Sequence, residues 1–179
     1  TADALAAGEA NDASLVLNPS LDRNLLDLNR ISQVAARAPW FLVLLETLLE
    51  QILARHARAE LLFVHGWNVV QPACDVGVGV IERDGRRTPA PGGHPTASAE
   101  FLTATVQPLQ RLAARAAIAV TVGARYPGAH RNNLLQLFTP ARGDDADPAL
   151  RRIAVLAARV DAVQLELGQR ARRAPTGDI

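Results

Sequence analysis

Five short segments of this chain carry residue types used by hydrolytic and anion-binding sites. The first is Asp27-Leu28-Asn29-Arg30. An amide beside a guanidinium can grip a carboxylate through parallel hydrogen bonds, and Arg23, seven residues before Arg30, could join such a clamp. The plainer alternative is a surface turn with a local salt bridge. The second is His65, which follows an apolar run at residues 60–64 and precedes Gly66. At a strand end its ring projects into a crevice, where neutral imidazole is a common zinc ligand; it could equally bond a loop carbonyl. The third, Asp75 in Asp75-Val76-Gly77, could orient His65 or cap a turn. The fourth, Arg131-Asn132-Asn133 beside His130, is a further anion contact or a solvated loop. In the fifth, Val163-Gln164-Leu165-Glu166, strand alternation puts Gln164 and Glu166 on one side. A glutamate in a buried strand is costly unless paired or functional. Near a metal, Glu166 could take a proton from water and pass it to a leaving amine.

Cys74 is the only cysteine, which excludes an intramolecular disulfide framework and a cysteine zinc cluster. It reads as a small buried residue; a nucleophilic role needs a histidine partner that the sequence does not place. Thr1 as an N-terminal nucleophile requires a processed precursor and a different layered fold.

The elements that position these residues follow from periodicity. Residues 39–56 form a helix opened by Pro39. Residues 96–116 form a second, with Ser98 as its cap, Pro108 as a kink and Phe101, Leu102, Val106, Leu109, Leu112 and Ala113 as its inner face. Residues 148–159 form a third. Strands are expected at residues 14–18, 60–64, 117–122 and 162–167, the second ending just before His65. Residues 66–95, rich in glycine, proline and aspartate, are expected to be an active-site loop or lid, and residues 123–140 a second long loop. A short basic helix and a tail close the chain. Strands alternating with helices predict a largely parallel sheet covered on both faces, with ligand at the carboxyl ends of its strands.

Composition sets the outer bounds. The 179 residues fit a single domain over 1–179, and 49% apolar with 21% charged residues is globular. A net charge of +1 gives no global field for nucleic acid or an anionic membrane. All 19 basic residues are arginine, which reads as coding bias. No run approaches the roughly 20 apolar residues of a membrane span; the longest, residues 40–49, contains Glu46. The single cysteine and the lack of a secretory signal predict the cytoplasm.

In order and spacing, Arg23 with Asp27 to Arg30, then His65, Asp75 to Gly77, Arg131-Asn132 and Gln164 to Glu166 resemble the N-formylglutamate amidohydrolases over roughly residues 14–173. The resemblance implies a three-layer α/β/α domain with a mainly parallel mixed sheet, of the zinc exopeptidase or phosphorylase/hydrolase-like type. It also implies one zinc ion and hydrolysis of the N-acyl amide of an acidic amino acid, a small-molecule substrate. By position His65 matches a zinc ligand and Glu166 the general base. Asn29 and Arg30 match the pair holding substrate carboxylate, and Arg23 an arginine assisting the carbonyl oxygen or substrate. The family's earlier His-x-x-Glu pair has no counterpart, since none of His56, His65, His94 and His130 begins one. The family's Asp-x-His-Ser is replaced by Phe63-Val64-His65-Gly66. Loss of the N-terminal strands and first ligand pair by truncation is the expected cause; the other is a metal-free binding protein for an acidic small molecule on the same fold.

Overall fold

A computed structural model describes Asp22 and residues 24–71, 73–143 and 145–172. The strand expected at residues 14–18 and Arg23 lie outside the described residues, and of the expected basic helix only a turn at residues 169–172 lies within them. In chain order the elements are α1 (Ile31–Arg37), α2 (Pro39–Leu53), β1 (Ala59–Gly66), β2 (Ala73–Gly77), β3 (Val80–Arg83), β4 (Arg86–Pro89), α3 (Ala99–Arg115), β5 (Ala119–Val122), α4 (Pro148–Leu156) and β6 (Val160–Leu167), with 3-10 turns at Leu134–Leu137, Pro140–Arg142 and Ala157–Arg159.

The helices form for local reasons. In α2, Pro39 occupies the first turn, where its missing N–H costs nothing. Phe41, Leu42, Leu45, Leu49 and Leu53 then recur on one buried face. The helix stops at Leu53 rather than His56. There Arg159 takes over the trailing carbonyls, donating to Leu53 at 2.8 Å, His56 at 2.9 Å and Ala57 at 2.9 Å, a side-chain answer to the unpaired end of a helix. In α3 the expected cap is present, with Ser98 Oγ accepting from the Phe101 N–H at 3.1 Å. Asp147 caps α4 in the same way, accepting from the Ala149 N–H at 2.9 Å.

The main sheet runs β1-β6-β2-β5. β1 and β6 are parallel, β2 and β5 are parallel, and β6 meets β2 antiparallel. The fold is therefore α/β with a mixed, mostly parallel four-stranded sheet. Strand alternation separates two apolar clusters. Ala59, Leu61, Phe63, Val160 and Ala162 pack with α1, α2, α4 and Leu134 to Phe138. Cys74, Val76, Val122, Val163 and Leu165 pack with Leu102 and Val106 of α3. Helices thus lie on both faces, a layout compatible with three layers.

Besides Leu112, expected on the inner face of α3 but 60% exposed, two expectations are corrected. Residues 66–95 are not one long loop: they hold β2 and a β3–β4 hairpin. The hairpin turns on Asp84-Gly85, both with positive φ (50° and 73°), the Asp-Gly pairing that suits a tight turn between twisted strands. β2 was concealed by its Asp75 and Gly77, residue types that strands disfavour. The second correction concerns β1, which extends through Gly66, so His65 lies inside the strand rather than past it. Nor is β1 buried on both faces. Among the described residues it is an edge strand, with Leu62 61% and Val64 52% exposed, while Leu61 and Phe63 face the core. Among the described residues, no helix is long and apolar enough to cross a membrane.

Candidate functional site

Strand register, which sequence cannot supply, aligns the chemistry-bearing residues. His65 on β1 is the partner of Glu166 on β6. Glu166 is the partner of Asp75 on β2, and Asp75 of Thr121 on β5. Residues in register share a face, so His65, Glu166, Asp75 and Thr121 form one polar row across all four strands. Two positions back along β6, Gln164 lies on the same face, and its Nε2 donates to Glu166 Oε1 at 2.7 Å. The shared side expected for Gln164 and Glu166 is thus realised.

The row is tied to the more distant segments through Asn133. Its Nδ2 donates to Gln164 Oε1 at 3.1 Å, while its Oδ1 accepts from the Leu135 N–H at 2.8 Å. Asn133 also forms an isolated β-bridge with Arg30. The Asn29 carbonyl accepts from the Leu134 N–H, and the Asn132 carbonyl from the Ile31 N–H, both at 2.9 Å. The Asp27–Arg30 turn therefore docks on the Arg131–Asn133 loop, and that loop reaches Glu166 through two amides.

Individual groups have particular duties. Asp27 Oδ1 accepts from the Asn29 N–H at 3.0 Å, and Asp27 Oδ2 lies 3.3 Å from Arg30 Nε. The local salt bridge that the sequence leaves open is present. Asn132 spends both ends of its amide on Ser32: Oδ1 accepts from the Ser32 N–H at 2.8 Å and Nδ2 donates to Ser32 Oγ at 2.9 Å. Arg131 lines a cleft of about 340 Å³ with His94, Gln136, Thr139, Arg142 and Asp145, which includes neither His65 nor Glu166.

Asp75 is 1% exposed, and its carboxylate accepts from Thr121 Oγ1 at 2.7 Å and from the N–H groups of Ala124 (3.1 Å), Arg125 (2.8 Å) and Tyr126 (2.6 Å). β6 stands between Asp75 and His65, and these four donors come from β5 and the loop that follows it. That loop crosses the site face. Tyr126 meets Trp67 edge to face at 5.3 Å, and Arg125 lies 5.2 Å from the centre of the Trp67 ring and 6.0 Å from that of Tyr126. Sequence reasoning missed Arg125, Tyr126 and Trp67. The only signal was their position, two residues beyond His65 for Trp67 and just past β5 for the other two.

Cys74, the neighbour of Asp75, points to the opposite face and is buried. Burial first, then the charges of Asp75 and Glu166, push its thiol up to about 11. Such a thiol stays protonated at neutral pH and is a poor nucleophile.

The donor set can be tested against zinc. A catalytic zinc takes three protein ligands and one water. Asp75 is committed to four donors, which leaves His65 and Glu166 in the row. Among the described residues, no group of three or more His, Cys, Asp or Glu is placed to hold a metal ion. The described residues do not by themselves make a zinc site. No protein-family model, curated protein or solved structure matches the chain significantly.

Proposed function

We propose that this chain is a hydrolase domain of the N-formylglutamate amidohydrolase type, cleaving the N-acyl amide of an acidic amino acid in the cytoplasm. One observation carries the reading. Four of the segments that raise the resemblance converge, with Glu166 at their centre: His65 and Asp75 are its register partners, and Gln164 and Asn133 link it to the Asp27–Arg30 turn. Glu166, held by the Gln164 amide, takes a proton from the attacking water and returns it to the leaving amine. The resemblance gives the substrate carboxylate to Asn29 and Arg30, with Arg23, Arg131 and Asn132 as further substrate contacts, but Asp27 pairs with Arg30, Ser32 takes the Asn132 amide and Arg131 lines a separate cleft. The zinc ion of the resembled family would polarise the scissile carbonyl. Of its ligands the described residues offer His65.

The second reading, a metal-free binding protein for an acidic small molecule, is favoured by the missing three-ligand group among the described residues. Zinc content and N-formyl-L-glutamate hydrolysis, measured on this chain and on the full natural reading frame, separate the two. One zinc per full-length protein, with turnover abolished by Glu166→Gln and zinc lost in His65→Ala, supports the hydrolase. Neither zinc nor turnover after metal loading overturns it in favour of the binder.

A further inference from the structure

Arg30 is paired with Asp27, and Arg142 with Asp145. Among the described residues Arg125, Arg131 and Arg172 near the site enter no ion pair, and of these three Arg125 is the one that lies against aromatic rings. Arg125 is exposed. It is nevertheless held in place from two directions. Its own N–H and those of its two neighbours are bonded to the buried Asp75 carboxylate, which fixes the backbone. Its planar head lies by the Trp67 ring, and the ring quadrupole attracts a cation there. Trp67 is fixed in turn, since its N–H donates to the Leu167 carbonyl at 2.7 Å.

Register says where this group sits. Trp67 leaves the end of β1 just after His65, and Tyr126 is bonded to Asp75 on β2. β6 runs between those strands, with Glu166 the partner of both His65 and Asp75. The Trp67–Tyr126 contact therefore spans β6 at the level of Glu166, bringing Arg125 with it.

We infer that Arg125 binds the carboxylate of an acidic small-molecule ligand beside Glu166. A guanidinium resting on an aromatic ring keeps the N–H groups along its edge for a carboxylate, and its fork matches the two oxygens. The assignment deepens the proposed function and rests on it for the identity of the ligand, a dicarboxylate or N-acyl acidic amino acid. It moves the decisive cation from Arg30, which Asp27 already occupies, to Arg125.

The test is calorimetric titration of the full chain with glutarate and with N-formyl-L-glutamate, in a Glu166→Gln background so that nothing turns over. Arg125→Ala should weaken both ligands at least about tenfold, Arg125→Lys should recover only part of the loss, and Arg30→Ala should change binding less than threefold, with thermal melts confirming that each variant folds. Binding unchanged in Arg125→Ala, binding abolished by Arg30→Ala instead, or no binding of either ligand to the parent at millimolar concentration overturns the assignment. Arg125-dependent binding in a protein that never hydrolyses N-formyl-L-glutamate sinks the hydrolase reading alone and leaves the arginine site standing.

Discussion

Asp75 and Glu166 face each other across the antiparallel β2–β6 pairing, and the Asp75 carboxylate is committed to β5 and the loop that follows it, from which it accepts four hydrogen bonds. Three of those donors are consecutive backbone N–H groups, so one buried carboxylate organises the chain that carries Arg125 and Tyr126. Asp75→Asn would turn one oxygen into a donor aimed at other donors. A broken bond to a charged, buried group costs about 1.5–3 kcal/mol, and a donor left facing donors adds to it. The expected loss is therefore about 2–4 kcal/mol, read as a lower urea midpoint. Trp67 fluorescence should become more solvent-exposed even in the folded variant, because Trp67 leans on Tyr126.

The helices were legible because their signals are local. Pro39 and the buried spacing of α2, and Ser98 at the head of α3, can be read within a few residues. The polar row was not legible, since it depends on β2 inserting antiparallel beside β6, a pairing between residues about 90 apart in the chain. His65, Asp75 and Glu166 were singled out from their neighbours, yet only register shows that Glu166 lies between the other two. The same non-local step gives Asn132 a structural task at Ser32 and Asn133 the link to Gln164. β2 itself was obscured because Asp75 reads as a turn residue until its hydrogen-bond partners are known.

Gln136 is the second buried polar organiser, 3% exposed. Its Nε2 donates to the carbonyls of His94 at 3.1 Å and Gly128 at 2.9 Å, and its Oε1 accepts from the His94 N–H at 2.9 Å. Three stretches of irregular chain meet on this one amide. Gln136→Met preserves much of the volume and strands all three backbone groups, so a loss of about 2–4 kcal/mol is expected in chemical denaturation. Leu62→Thr on the exposed side of β1 is the matched control and should stay within about 0.5 kcal/mol. Equal losses in the two variants would contradict the role given to Gln136.

Cys74 supplies a kinetic prediction. With its thiol pushed up to about 11, about one molecule in a thousand carries the thiolate at pH 8. Reaction with a disulfide reagent should be at least about a hundredfold slower in the folded protein than in urea. Cys74→Ala should leave any N-acyl amidohydrolase activity unchanged and cost only about 1 kcal/mol of stability. Rapid labelling of the native protein, or loss of activity in the alanine variant, would restore the cysteine as a nucleophile.

Asp161 predicts how the fold responds to acid. It is buried at the start of β6; its Oδ2 accepts from Arg58 Nε at 2.9 Å, and its Oδ1 from the Ser98 N–H at 2.6 Å. Burial works to raise its carboxyl, but the bonds from Arg58 and Ser98 outweigh burial and hold it below the usual carboxylate range. A depressed folded value means that the stabilisation is complete above the unfolded value of about 3.9 and is lost as pH falls through the lower, folded one. Asp161→Asn removes that titration. The wild type should be more stable than the variant by about 1.5–3 kcal/mol at pH 6, and the gap should narrow as pH drops from about 4 toward 2. Because Asp161 also positions the N–H of the residue capping α3, Ser98→Ala should cost about 1 kcal/mol with no pH dependence of its own. A gap between wild type and Asp161→Asn that stays constant down to pH 2 would show that the carboxylate charge is not what holds β6 to the head of α3.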